Sequence, residues 1–337
     1  MERLIFTLTP KTAFATPLAG DTLFGQACWA IRHCFSEAKL TALLAGYTEN
    51  KPFMVLSDAM PQGFLSRPTL PSELLGFEQD AKQRKIQKAK KWFPESVLAT
   101  PLNQWAKAAL TEGEMLDTLK LPEPSNANYK VLKRLYLTKA QDHNSLNRKT
   151  GTTGGDEGVF APFQRQTYWY HPDIQLSLIV ELDTERFSVA ELTETLHWIG
   201  FNGYGKEASC GLGKFAIELA VRPEPVEGST VEGTAQPNAW LTLAPCAPQN
   251  LSWHALRCYY QTLTRFGRHG DSAVHQRGGA FKNPVLMAAT GAVLSPKGEN
   301  PSQGFTGQGI TGVSKTIEAT VHQGYAPVYP VRLEVTV

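Results

Sequence analysis

No run of about 18 apolar residues occurs anywhere in the 337-residue sequence, so no transmembrane helix is predicted. Cysteine is sparse: Cys28, Cys34, Cys210, Cys246 and Cys258 are scattered, odd in number, and form no C-x-x-C pair. That excludes a disulfide framework and a structural zinc of the cysteine type, and it suits a reducing, cytoplasmic compartment. The opening MERLIFTLTP is too short and too alternating for a signal peptide and reads as a strand. An excess of one charge is missing as well, since 33 Lys and Arg against 31 Asp and Glu leave only +2. The molecule as a whole is therefore no general polyanion binder. The eight histidines stand far apart with no metal-ligand spacing, and neither a metal nor a cofactor is expected.

What the chain does have is local. Between Lys82 and Lys149 fourteen Lys and Arg face six Asp and Glu, an excess of +8. This gives either a solvated charged face or a polyanion site on one side. Strand and helix signals alternate around this basic stretch. Leu4, Phe6 and Leu8 alternate with polar neighbours up to Pro10. AGDTLFGQACWAIRHCF starts a helix for which Asp21 is the expected cap. PFMVLSDA (52–59) reads as a strand, and 78–93 as a basic helix with too few apolar positions for the core. Residues 101–120 read as weakly helical. IQLSLIVEL (174–182) is a strand, followed by a helix with Ser188 and Glu191 at capping-box spacing and a strand at 214–221. RPEPVEGSTVEGTAQPN (222–238) has the composition of a linker. Beyond it, 239–245 reads as a strand, 252–265 as a helix, 285–294 as a strand and 304–315 as a glycine-rich turn.

The predicted class is α+β. Strand–helix–strand, a long insertion and strand–helix–strand is the split order of a ferredoxin-like module. We expect residues 1–221 to form that module with an insertion at about 78–171. Residues 239–337 would form a shorter, degenerate copy, with a cleft at the junction.

Two segments carry candidate chemistry. GFNGYGKEASCGLGKF (200–215) holds five glycines in sixteen positions. They follow a helix and enter a strand, the reverse of a dinucleotide fingerprint, and they lack the Walker spacing. Two readings remain: an ordinary turn, or main chain kept bare so that amides reach phosphates beside Lys206, Ser209 and Lys214. The second segment, HNSLNRKTGTTGGDEGVFAPFQRQTYWY, sets Asn144, Asn147, Arg148, Lys149, Thr150, Thr152 and Thr153 before Phe160, Phe163, Tyr168, Trp169 and Tyr170. Cations beside rings suit single-stranded RNA, whose phosphates and unstacked bases want those two partners. For Tyr168 and Tyr170, packing on the sheet is the better reading, whereas Phe160 is the ring expected to be exposed. His143 opens an enzymatic alternative, metal-independent RNA cleavage.

LTPKTAF leading into GDTLFGQACWAI, HNSLNRKTGTTGGDEGVF, GFNGYGKEASCGLGKF and the closing VHQGYAPVYP together resemble the RAMP proteins of CRISPR systems. More narrowly they resemble the subunit that caps the 5′ end of the guide RNA in type III-A (Csm) effector complexes. The resemblance implies two ferredoxin-like (RRM-type) modules, a thumb from the first, a non-catalytic role, and binding of the repeat-derived 5′ tag of the guide. It implies as partners the large polymerase-type subunit and the RNA-backbone subunit, and no homo-oligomer. It places Lys11, Gly20, Asp21 and Thr22 beside the RNA path, Asn147 and Arg148 to Thr153 on the thumb, and Phe160 as a wedge between bases. Gly203, Gly205, Lys206, Ser209, Gly211 and Lys214 form its glycine-rich loop, with Arg277, Lys282 and Lys315 as looser candidates. A guide-processing RAMP endoribonuclease and a purely architectural subunit are the competing readings.

Overall fold

The computed structural model describes the chain apart from residues 79, 81, 123–132, 154–160, 222–235, 250–251, 276, 298–303 and 335–337. Phe160 and most of the 222–238 segment lie outside the described residues.

β1 (Glu2–Pro10) buries Leu4, Phe6 and Leu8, as a period of two requires. α1 (Gly20–Cys34) lays Leu23, Phe24, Ala27, Ala30 and Ile31 onto the same core. α2 (Glu37–Leu44) is capped by Ser36, whose hydroxyl accepts from the Lys39 amide at 3.0 Å. Three short strands follow: β2 (Met54–Leu56), β3 (Met60–Pro61) and β4 (Phe64–Ser66).

The basic segment is helical only as α3 (Arg84–Ala89) and passes directly into β5 (Lys90–Pro94). The predicted helix ends early because Phe93 is drawn into the second core, where β4, β5 and a two-residue β6 (Leu110–Thr111) pair. α4 (Glu112–Leu119) opens with a capping box between Thr111 and Glu114. A long hairpin, β7 (Tyr136–His143) with β8 (Phe163–Tyr170), forms the C-terminal part of the predicted insertion.

β9 (Leu176–Leu182) is buried along its whole length. α5 (Val189–Asn202) starts at the predicted Ser188–Glu191 capping box, and β10 (Phe215–Val221) completes the sheet. Strand order is β10–β1–β9–β2, with β3 also on β9, and every pairing is antiparallel.

The second half adds β11 (Ala239–Thr242), β12 (Thr262–Arg265), β13 (Val285–Ala288), β14 (Val293–Leu294), β15 (Phe305–Ile310) and β16 (His322–Val331). They form a β14–β11–β16–β15 sheet and a separate β12–β13 ribbon. Two expectations are corrected here. Residues 252–265 are a 3₁₀ turn at Ala255–Arg257 and strand β12, not a helix, because Thr262–Arg265 pairs with β13. Half of the segment 304–315 is strand β15 rather than turn. Its Gly307 packs so tightly that a Cβ would sit 2.1 Å from the Gly324 carbonyl oxygen.

The halves share their cores. Phe305 and Tyr325 join the cluster under α1 and α5. Ile179 of β9 joins Leu241, Val293 and Val331 on the other side of the sheet. A cluster of this kind is worth about 25 cal/mol for each Å² of apolar surface removed from water. Polar seams reinforce the junction. The Gln323 amide donates to the Leu56 carbonyl at 2.8 Å and accepts from its amide at 2.9 Å. Arg3 meets Glu181 and the carbonyls of Gly304 and Val328.

Candidate nucleic-acid interface

The glycine-rich segment is folded back on the loop that links β1 to α1. Gly213 donates to the Ala13 carbonyl at 2.7 Å, and the Lys214 amide to Thr12 Oγ1 at 2.9 Å. The Lys11 amide donates to the Lys214 carbonyl at 2.8 Å, and the Lys206 amide to Thr16 Oγ1 at 3.0 Å. Buried Tyr204 fastens the two from beneath, donating its hydroxyl to the Pro17 carbonyl at 2.7 Å and accepting from the Ala19 amide at 3.2 Å.

The glycines are explained largely by this closure. At Gly213, φ is +75° and a Cβ would meet the Tyr204 carbonyl oxygen at 2.2 Å. At Gly205, φ is +77° and a Cβ would strike Thr16 at 2.6 Å. Gly203 is likewise buried, against Leu212. Several amides expected for phosphates, those of Gly203, Lys206, Gly211 and Lys214, are thus spent inside the protein. Gly211 alone of these glycines has open space where its side chain would be.

What the closure leaves outward is cationic. Lys11 and Lys206 are exposed, and Lys214 sits with its ammonium 5.5 Å from the ring centre of Phe201, itself 77% exposed. Among the described residues none of the three lysines has an ion pair, and the amides of Gly205, Glu207, Ala208 and Ser209 have no hydrogen bond. The loop's carboxylate, Glu207, is occupied by Arg165 of β8. That ion pair ties the hairpin to the loop. Sequence reasoning missed Arg165, Thr12 and Thr16, because nothing near them in the chain announces partners about 42 and 200 positions away.

The hairpin carries the second cluster. Phe14 and Tyr168 exchange backbone hydrogen bonds at 2.9 and 2.7 Å, and Tyr170 packs edge-on to Phe14 at 5.4 Å, so both tyrosines serve the hairpin's root. Farther out, Trp169 lies under Lys139 at 5.5 Å, and Phe163 stacks on His143 at 5.6 Å and under Arg165 at 4.9 Å. The His143 ring has no hydrogen bond among the described residues. Asn147 builds a tight turn: its side chain accepts from the Lys149 amide at 2.9 Å and its carbonyl from the Gly151 amide at 2.8 Å. Thr150 and Thr152 share a hydroxyl hydrogen bond at 2.8 Å. The turn leaves Arg148, Lys149, Thr150, Thr152 and Thr153 exposed.

Other candidates face inward. Asp21 is not the cap of α1: the cap position is Ala19, with no side-chain bond. Asp21 is 3% exposed and takes Arg265 on both oxygens, at 2.6 and 3.1 Å, with His322 at 3.6 Å. Its neighbour Thr22 is half-buried. Gly20 is buried, its amide on Asp58 at 2.8 Å, and a Cβ there would lie 2.3 Å from the Leu56 carbonyl oxygen. Burial pushes the Asp58 carboxyl up to about 6, against the hydrogen bonds of Thr290 and Gly20. Burial likewise lowers His322 to about 4 and holds the half-buried Lys282 ammonium below its ordinary value. Lys282 thus faces the Asp21 and Cys28 side of α1, whereas Arg277 and Lys315 are exposed. The structure therefore gathers Lys11, Lys206, Lys214 and Ser209 into one loop cluster and Asn147 to Thr153 at the hairpin tip. It withdraws Gly20, Asp21 and Lys282 into the junction between halves. No helix among the described residues is long and apolar enough to cross a membrane.

From end to end the fold resembles that of chains in solved Csm3–Csm4 and Csm1–Csm4 structures. It matches a chain in a crystal structure of a Csm3–Csm4 subcomplex of the type III-A interference complex at a TM-score of 0.55. Identity is 12%, over 98% of this chain and 99% of that one. It also matches a chain in a Csm1–Csm4 cassette solved with cA4, at a TM-score of 0.54 and 13% identity over 99% of each. A third match, in the Csm1–Csm4 cassette with pppApA, has a TM-score of 0.51. No protein-family model matches the sequence, and no curated protein does.

Proposed function

We propose that the chain is a non-catalytic subunit of a type III-A CRISPR interference complex that holds the repeat-derived 5′ tag of the guide RNA. It would bridge the large polymerase-type subunit and the RNA-backbone subunit. The β10–β1–β9–β2 sheet with α1 and α5 is the ferredoxin-like module of this reading. The shorter sheet of residues 239–337 is its degenerate partner. The observation that carries the proposal is the pairing of two exposed cationic elements, the 203–214 loop and the hairpin, through Arg165 and Glu207 on one frame. Fixed cations and free amides meet phosphates there, while the hairpin's rings meet splayed bases. Whole-length likeness to chains in the Csm3–Csm4 and Csm1–Csm4 structures supports the same partners.

Closure of the loop changes how the site works. Three of its amides, those of Lys206, Gly213 and Lys214, hold the loop to residues 11–17 and five more bond within the loop or to α5, so the lysine side chains carry the greater share of phosphate binding. Replacing Lys206 and Lys214 together by Ala is expected to weaken binding of a tag-sequence RNA. It should also lower the slope of log K against log salt by about 1.4, at about 0.7 for each lost phosphate contact. An unchanged slope in anisotropy titrations across 50–300 mM salt would place the site elsewhere.

A further inference from the structure

One prominent sequence feature, the basic run at 82–91, has no part in the site above. It borders an open groove of about 1360 Å³ between the α3–β5 wall and a wall of Pro248, Gln249 and residues 253–262. Lys88 and Lys91 stand exposed on one wall, and Trp253, Tyr259 and half-exposed Tyr260 line the other. None of the lining residues is an Asp or Glu.

The cationic wall is built rigidly. Arg67 donates to the carbonyls of Gln87 and Lys90 at 2.6 and 3.1 Å and to Ser72 at 2.9 Å, pinning the end of α3. Thr69 donates to the Gly291 carbonyl at 2.7 Å and anchors that wall to the second half. The aromatic wall is oriented too: Trp253 donates its indole N–H to the Pro248 carbonyl at 2.8 Å and meets Trp240 edge-on. Arg67 is consumed by this scaffolding, so Lys88 and Lys91 are the cations left to face a ligand.

We infer that this groove binds a second stretch of single-stranded RNA, separate from the loop and hairpin. Lysines opposite a wall of aromatic rings, without a carboxylate to repel phosphate, match an extended strand. The volume exceeds the roughly 300–1,000 Å³ of a small-ligand pocket, which favours several linked nucleotides over one mononucleotide. Two exposed lysines on the wall, unopposed by a lining carboxylate, favour a polyanion over a protein partner, whose interfaces are depleted in lysine.

The test uses the full chain already carrying Lys206→Ala and Lys214→Ala, so that the groove is read without the loop. A fluorescein-labelled decamer of uridine is titrated by anisotropy across a salt series. Binding is expected to persist in that background. Adding Lys88→Ala and Lys91→Ala should lower the salt slope by about 1.4. Tyr260→Ala should weaken binding by about 5-fold or more. All three side chains are at the surface, and an unchanged thermal melt verifies folding. If the background variant binds no RNA, or the groove substitutions leave its affinity and slope unchanged, the inference is overturned. It is equally overturned if they spare RNA binding and instead abolish co-purification with a neighbouring subunit, which makes the groove a protein seat. Failure of the loop variant alone to weaken tag binding bears on the function proposed above and not on the groove.

Discussion

Asp21 shows what a single residue does when a site motif is also a structural joint. Its buried carboxylate takes two hydrogen bonds from Arg265, some 244 positions away, and so clamps the second half to the start of α1. Arg265→Ala would remove its close ion-pair partner and leave the buried charge with the Thr22 amide at 2.9 Å, His322 at 3.6 Å and the neighbouring Lys282. Loss of one partner of a buried pair costs about 3–5 kcal/mol, and the partial exposure of Arg265 sets the expectation near the lower figure, read by urea denaturation. A loss below about 1 kcal/mol would mean that the clamp is dispensable. Asp58 gives a pH signature. Its folded carboxyl titrates near 6 against an ordinary 3.8, so the native state holds the proton more tightly. Its contribution is greatest below pH 4 and is lost as pH rises through 6. His322, lowered from 6.5 to about 4, acts with opposite sign over nearly the same window. Asp58→Asn should therefore gain stability relative to the wild type as pH rises from 4 to 6.5, on the order of 1–3 kcal/mol. A pH-independent difference between the two proteins would contradict the assignment.

At the scale of elements, the glycine-rich loop divides into positions that close it and one that does not. Gly213→Ala meets the Tyr204 carbonyl oxygen as well as an unfavourable φ, whereas Gly211→Ala meets only the φ penalty. Gly211→Ala is expected to cost about 1 kcal/mol and Gly213→Ala distinctly more, measured by thermal or urea unfolding. Arg165→Ala should leave stability within about 1 kcal/mol, because the pair is partly exposed, while lowering RNA affinity by freeing the hairpin from the loop. Elements governed by their own neighbours were legible in sequence: β1 by alternation, α5 by its capping box, β9 by its apolar run. Those decided by distant partners were not. The β12 segment became a strand through β13, β15 through β16, and α3 gave way to β5 because the core claims Phe93. The same reason hid the true work of the loop glycines. Their crowding was visible, but the residues they close upon, Ala13 and Thr16, come before α1.

For the whole molecule, the consequence is one body in which the sheet's two faces serve different halves. Leu178 is buried beneath α1 and α5, while Ile179, next in the strand, faces Leu241 and Val293. A substitution such as Leu178→Ala should cost about 2–5 kcal/mol. Such sharing holds the 203–214 loop and the hairpin at a set spacing without requiring a partner to do so. It also places Asp21, a plausible RNA contact in sequence, in a buried pair with Arg265 at the junction. The central claim is that the loop lysines and the hairpin tip grip the leading end of a guide RNA. It is tested most directly in the assembled complex, with 4-thiouridine placed in the guide's 5′ tag and the cross-linked peptides mapped by mass spectrometry. Cross-links are predicted in residues 201–214 and 144–153 of this chain. Tag cross-links confined to other subunits, with this chain present and folded, would contradict the account.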